Sequence, residues 1–165
     1  MRRVLVLVGF AFAAATAGAA AASVAADRLP SDTLRYYEHA KAQAVKHGWS
    51  CIAVKGDRAD NGFAYTMGLS SKHLPELAVF ATDDTANACA AIDRVAKALV
   101  AAHRYPRDGA EIFRNGEGRV VLRGIFPNEF FDRCIFAKIW RDEHHIASAR
   151  GMQLIVLDPG EAMPR

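Results

Sequence analysis

Hydrophobic and polar positions alternate along residues 63–69, which predicts a β-strand with two distinct faces. One face would carry Phe63, Tyr65, Met67 and Leu69, and the other would carry Ala64, Thr66 and Gly68. A polar segment rich in turn-forming residues, 56–62, separates this strand from an apolar run at 49–55. Because the connection is short, we expect the two strands to pair antiparallel and the second strand to be half buried.

The strongest helical pattern begins at Asp83 or Asp84 and ends near His103. Apolar residues recur at helical spacing on one side of it, namely Ala88, Ile92, Val95, Ala96, Leu99 and Val100. Asp93 and Lys97 form an acid-before-base pair on the other side, which stabilises a helix. We therefore expect this long helix to lie across the sheet.

The remaining patterns predict shorter elements. Ser31 or Asp32 could cap an N-terminal helix that ends near His47, where Gly48 suits a left-handed terminating residue. Further along, the sequence predicts a strand at 77–81, a hairpin of residues 110–113 and 119–126, a helix within 130–140 and a last strand at 152–157. The predicted fold is a single α+β domain, in which a mainly antiparallel sheet packs against one long helix and shorter helices.

The first 26 residues have the layout of a secretory signal peptide. Arg2 and Arg3 precede an apolar run, and a tract of Ala and Gly then ends in Ser23-Val24-Ala25-Ala26, so we expect cleavage after Ala25 or Ala26. A retained anchor in the inner membrane is the alternative, because about 20 uncharged residues can span a bilayer. The prediction is a periplasmic or secreted protein, with a helix at 27–47, a domain at 48–158 and a tail at 159–165.

Charge and cysteine content narrow the classes of function. The full chain has a net charge of +3, and removing Arg2 and Arg3 leaves 19 basic and 18 acidic residues, a net charge of +1. A nearly neutral domain has no broad cationic face for nucleic acid. In an oxidising compartment two of Cys51, Cys89 and Cys134 could form a disulfide, although the sequence does not choose the pair.

No cofactor or metal site is predicted. The cysteines lack the CxxC spacing of zinc sites, and the sequence has no phosphate-binding loop. Residues 142–145, Asp-Glu-His-His, contain possible metal ligands, but neighbouring residues on a helix diverge by about 100° and cannot all converge on one ion. We interpret them as a hydrated polar turn.

The candidate chemistry lies at Tyr65, Thr66, His73 and Glu76. A histidine and a carboxylate three residues apart can be brought together by one turn, so Glu76 could fix the tautomer of His73 while His73 exchanges protons. The first hypothesis is a noncatalytic binding or interaction module of the cell envelope, which recognises a protein or small ligand through the surface from Tyr65 to Glu76. The alternative is a small hydrolase-like acid/base enzyme with Tyr65 as substrate contact. A third reading makes Glu76 a shaping residue at the strand entry and His73 a solvated loop residue.

A family resemblance rests on the same segment. The run Phe63-Ala64-Tyr65-Thr66-Met67-Gly68-Leu69, then His73-Leu74-Pro75-Glu76-Leu77 and the distant Gln153-Leu154-Ile155-Val156, resembles the bacterial family called domain of unknown function 4262. The likeness covers about residues 48–158. Leu74 departs from the family pattern by separating a His-Pro pair, and Leu157-Asp158-Pro159 replaces a typical Pro-Asp pair. The resemblance implies no reaction, cofactor or substrate.

Overall fold

The computed structural model describes residues 26, 28–56, 61–115 and 118–157, without the side chains of residues 113–119, 156 and 157. In chain order the elements are helix α1 (Ser31–His47), strands β1 (Ser50–Val54) and β2 (Gly62–Met67), a 3-10 helix (Leu69–Lys72), strand β3 (Glu76–Thr82), helix α2 (Thr85–Ala102), strands β4 (Ala110–Asn115) and β5 (Gly118–Ile125), helices α3 (Pro127–Arg133) and α4 (Ile135–Glu143), and strand β6 (Gly151–Leu157). The predicted signal segment before Ala26 and the tail at 159–165 lie outside the described residues.

The six strands form one sheet in the order β1-β2-β3-β6-β5-β4. Four of the neighbouring pairs are antiparallel, including the predicted pairing of β1 with β2 and the predicted hairpin of β4 with β5. The exception is β6, which runs parallel to β3 in the middle of the sheet. The predicted α+β class and the mainly antiparallel sheet are therefore confirmed.

Helices cover both faces of the sheet. Helix α2 packs on β1, β2 and β3 from one side, while α1, α3 and α4 contact the sheet from the other. As a result both faces of β2 are buried, with Ala64 and Thr66 as inaccessible as Met67. The expectation of a half-buried strand is wrong, because α2 covers the face that carries Ala64 while the other three helices cover the face that carries Tyr65 and Met67.

The alternation along β2 is confirmed up to Met67 and fails after it. Phe63, Tyr65 and Met67 pack in one hydrophobic cluster, whereas Leu69 packs in the cluster under α2. Gly68 has φ 117°, in the left-handed region, and turns the chain out of the strand into the 3-10 helix. This turn changes the face on which Leu69 lies.

The observed helix ends confirm some of the predicted starts, ends and caps and correct others. The start of α2 was predicted at Asp83 or Asp84, and Asp84 caps the helix by accepting a hydrogen bond from the Asn87 N–H at 2.9 Å. Gly48 ends α1 with φ 91°, as predicted. The predicted side-chain cap of α1 is wrong, because the helix already begins at Ser31 and Pro30 occupies the capping position. The helical region at 127–143 is two helices, since Cys134 has non-helical angles of φ −97° and ψ 68°.

A disulfide joins Cys51 of β1 to Cys89 of α2, with 5.8 Å between their Cα atoms. It fixes the edge of the sheet to the long helix that covers it. Cys134 remains a free, buried thiol. Among the helices in the described ranges, none is long and apolar enough to cross a membrane.

Candidate functional site

The Glu76 carboxylate lies fully buried at the start of β3 and accepts four hydrogen bonds. Its Oε1 atom accepts from the Gly68 N–H at 3.0 Å, the Ser70 N–H at 2.9 Å and the Ser70 hydroxyl at 2.7 Å. Its Oε2 atom accepts from the Thr66 hydroxyl at 2.7 Å. These four residues, Thr66, Gly68, Ser70 and Glu76, form what we call the Glu76 network, which holds the connection between β2 and β3 in place.

Two opposing effects act on the Glu76 carboxyl group. Burial raises its pKa, while the hydrogen bonds from Thr66, Ser70 and Gly68 partly offset that increase by favouring the charged form. Every partner is a donor, so the carboxylate is satisfied within the fold. Glu76 therefore acts as an internal brace in this structure.

His73 lies apart from this carboxylate. It ends the 3-10 helix with φ 59°, and its N–H donates to the Ser70 carbonyl at 3.0 Å. The side chain is exposed, and the described residues give it no hydrogen-bond partner. The contact with Glu76 that would fix its tautomer is not formed, and the placement matches the third reading, a solvated loop residue.

Tyr65 is buried on the opposite side of β2 from Ala64. Its ring stacks with Phe63 at 5.9 Å, and its hydroxyl accepts from the Phe136 N–H at 3.4 Å. Burial raises the pKa of Tyr65.

Of the four predicted residues, the structure joins Thr66 to Glu76, and only His73 is open to a ligand in water. Their catalytic and binding roles remain predictions, and this geometry gives the acid/base alternative no supporting contact.

Cys134 completes the set of buried reactive groups. Burial, and then the nearby Glu76 charge, raise the pKa of its thiol. A thiol nucleophile needs the opposite environment, one that favours the thiolate. Cys134 is accordingly a packing residue in this fold.

The polar residues 142–145 form the C-terminal end of α4 and the turn that follows it. The Glu143 carboxylate forms an ion pair with Lys41 of α1, with 2.7 Å between Oε2 and Nζ. The His144 ring stacks on the Trp140 ring with 3.9 Å between their centroids. Within the described ranges, no group of three His, Cys, Asp or Glu residues is placed to hold a metal ion.

An open groove of about 640 Å³ lies at the end of the sheet where β5 stops and β6 starts. We call it the arginine groove. Its walls come from three distant segments: Tyr105, Pro106, Arg107 and Asp108; Gly124, Ile125, Phe126 and Pro127; and Arg150, Gly151 and Met152. Large apolar side chains reach solvent here, with Phe126 78% and Tyr105 41% exposed. Exposed aromatic surface beside polar groups is typical of ligand-contact surfaces.

The arginine groove is lined by more positive than negative side chains. The Asp108 carboxylate is engaged, because its Oδ1 accepts from the Gly124 N–H at 2.7 Å. Arg107 and Arg150 are both exposed, and neither has an ion-pair partner in the part of the chain that the structure describes. Tyr105 is only partly exposed, and its partial burial raises the pKa of its hydroxyl, while the nearby Arg150 charge lowers it. The groove thus combines an apolar floor with two guanidinium groups and one carboxylate, an excess of one positive charge in its lining.

The Glu76 strand positions the floor of this groove. The Glu76 N–H donates to the Arg150 carbonyl at 2.8 Å, and Glu76 lies opposite Gly151 in the ladder of β3 and β6. A Cβ atom at Gly151 would overlap the ring of Phe130, so the backbone and that ring are in close contact. The segment predicted to carry chemistry instead supports a groove formed by other residues.

Sequence reasoning missed the arginine groove because no single segment carries its pattern. Two arginines 43 positions apart give no local motif. The one available signal is Phe126, an aromatic residue placed directly before Pro127 where β5 ends. An apolar residue at such a strand end more often packs inward than projects into water.

Comparison with known proteins gives one match. The sequence model of DUF4262, described as a domain of unknown function, matches residues 43–165. No curated protein and no solved structure matches the chain.

Proposed function

We propose that this chain, which belongs to the DUF4262 family, is an exported, noncatalytic binding domain that holds a small amphiphilic anion in the arginine groove. One observation carries the proposal: Arg107 and Arg150, which have no ion-pair partner among the described residues, line the same groove as the exposed ring of Phe126, on a floor fixed by β3. A domain of nearly neutral net charge has here a local excess of positive charge.

The chemistry of the groove defines the ligand. Guanidinium groups donate paired hydrogen bonds to carboxylate or phosphate oxygens. Ile125 and Phe126 offer apolar surface beside them, and covering that surface is favourable in water. A carboxylate joined to an aromatic or alkyl body would use both features at once.

The buried reactive groups support a noncatalytic role. Glu76, Tyr65 and Cys134 are inaccessible to a solute, and Asp108 in the groove is already engaged with a backbone N–H. The groove therefore offers binding groups and no paired acid and base. The exposed edge of the originally predicted surface, residues 71–73, stays a candidate contact for a protein partner.

The disulfide supports export. Disulfides form and persist in oxidising compartments such as the periplasm, and Cys51 and Cys89 are paired in this fold. Together with the signal-like pattern of residues 1–26, this favours a periplasmic or secreted protein, with an inner-membrane anchor as the alternative.

Processing of the N-terminus tests the location. Protein recovered from the envelope or the medium is expected to begin at Ala26 or Asp27 when its N-terminus is sequenced. An intact Met1 in the membrane fraction would favour the anchored form. An intact Met1 in the cytosol would contradict export.

Binding of 4-phenylbutyrate to the processed protein tests the groove. We expect amide chemical-shift changes concentrated at Gly124, Phe126 and Gly151, and Arg150→Gln should weaken the affinity about fivefold, the scale of one exposed ion pair. A second substitution, Arg107→Gln, should bring the combined loss above about tenfold.

Two comparisons control this experiment. Lys46→Gln removes an exposed cation on α1, far from the groove, and is expected to leave the affinity unchanged. The neutral amide of the same ligand should bind more weakly than the acid. Equal binding of acid and amide, or affinities insensitive to both arginines, would overturn the proposal.

A further inference from the structure

The middle of the sheet opens where β3 and β6 separate. Their ladder includes only Glu76, Leu77 and Ala78 of β3, opposite Gly151, Met152 and Gln153 of β6. Beyond this point β3 still pairs with β2 as far as Thr82, and β6 still pairs with β5 as far as Leu157. The facing edges of residues 79–82 and 154–157 therefore no longer form a ladder with each other.

A cleft of about 570 Å³ lies at this separation, between the two strands and α2. Its strand walls are Val79, Phe80, Ala81, Thr82, Gln153, Leu154 and Ile155, and its helix wall is Asp84, Asn87, Ala88, Ala90, Ala91 and Arg94. Three of the helix residues are alanines, so little side-chain volume fills the space above the gap.

The backbone of β3 is irregular along this cleft. The register of β3 against β2 shifts between Val79 and Thr82, and Ala81 has φ 55°. A left-handed conformation is unfavourable for an alanine, and such strain persists only where the surrounding structure imposes it. The irregularity coincides with the point where β3 leaves β6.

We propose that this cleft takes a short extended peptide segment that inserts between β3 and β6 and continues the sheet. β3 and β6 are parallel, so a segment running opposite to them would be antiparallel to both neighbours. Antiparallel pairs have the straighter hydrogen bonds, and an exposed strand edge is a known site for adding a peptide strand. The unpaired length of β3 fits about four residues at about 3.3 Å each.

Charge complementarity specifies the peptide. Arg94 lines the cleft, is exposed, and has no ion-pair partner among the described residues. The Asp84 carboxylate, which accepts from the Asn87 amide at 2.6 Å, lies about 15 Å away along the helix axis and leaves the charge of Arg94 to a ligand. Side chains two positions apart in a strand share a face. The inserted segment should therefore direct an apolar side chain toward Ala88 and Ala91 and an acidic side chain, two positions away, toward Arg94.

Hydrogen exchange tests insertion with a defined probe, the capped hexapeptide TVTETV. On adding it to the processed protein, we expect the amides of residues 79–82 and of Ile155 to exchange at least about tenfold more slowly. Replacing the peptide's Glu by Lys should reduce the protection about fivefold, and Arg94→Glu should recover it for the Lys peptide only. Lys46→Glu, a charge reversal on α1, is the matched control and should change neither result.

A second variant separates insertion from general binding. Ala91→Trp places a large ring in the cleft at a half-buried position, and it should remove the protection while the circular dichroism spectrum stays unchanged. Protection that survives Ala91→Trp, ignores the charge exchange, or appears at the outer strands β1 or β4 instead would overturn insertion between β3 and β6. None of these outcomes depends on the arginine groove.

Discussion

Replacing Glu76 by leucine is expected to lower the free energy of unfolding by about 3–5 kcal/mol, because several buried neutral donors lose their acceptor at once. The substitution leaves the N–H groups of Gly68 and Ser70 and the hydroxyls of Ser70 and Thr66 inside the protein without their acceptor. Each buried donor without a partner costs free energy, even though leucine fills a similar space. Urea unfolding followed by circular dichroism measures the change.

Glu76→Gln is the matched control for this prediction. Its amide oxygen can replace Oε1 and accept from Gly68 and Ser70, while its NH₂ group can donate to the Thr66 hydroxyl oxygen. We expect a loss of only about 1–2 kcal/mol. If neither substitution lowered the free energy of unfolding measurably, Glu76 would not stabilise the fold. Its carboxylate would then be available again for the acid/base alternative.

The pH dependence of stability follows from the raised pKa of Glu76. The folded state holds the proton more tightly than the unfolded state, in which the ordinary value is 4.5. The stabilisation is therefore complete below that value and is lost as pH rises through the higher pKa of the folded state. Relative to Glu76→Gln, the natural protein should lose stability as the pH rises above 4.5. A constant or growing difference would mean that the four hydrogen bonds outweigh burial.

Local signals predicted most of the fold. The alternation of β2, the start of α2 at Asp83 or Asp84 and the left-handed Gly48 each depend on a few neighbouring residues, so local sequence is enough to predict them. The burial of the second face of β2 could not be read in this way. Ala64 and Thr66 are small enough for either environment, and α2, the helix that packs with Ala64, follows later in the chain without a local signal of which face of the sheet it covers.

At the candidate site too, some features could be predicted from neighbouring residues and others depend on distant segments of the chain. The spacing of His73 and Glu76 predicted a turn that brings the two side chains together, whereas the structure places the His73 side chain in solvent and the Glu76 side chain in the interior. Thr66, Gly68 and Ser70 supply donors at short intervals before a single carboxylate, and this combination was the available sign of a buried brace. The arginine groove needs Arg107, Phe126 and Arg150 from three segments, and their meeting depends on the central position of β6.

Removing the disulfide by Cys51→Ala together with Cys89→Ala is expected to cost about 4 kcal/mol, since the bond closes a loop with a sequence separation of 38 residues. The bond restricts the unfolded chain and ties the edge strand β1 to α2. The natural protein unfolded in the presence of a thiol reductant should show the same loss, measured as a lower urea midpoint. The double variant should not respond to the reductant.

Cys134→Ala separates the effect of the bridge from that of losing a buried sulfur. It leaves Cys51 and Cys89 paired, so its stability should still fall by about 4 kcal/mol when reductant is added. Small domains are stable by only about 5–15 kcal/mol, so a loss of this size would leave protein retained in the reducing cytosol far less stable than exported protein. Equal stability of protein purified from the two compartments, or three titratable thiols in the exported form after unfolding, would contradict both the bridge and the oxidising location that it supports.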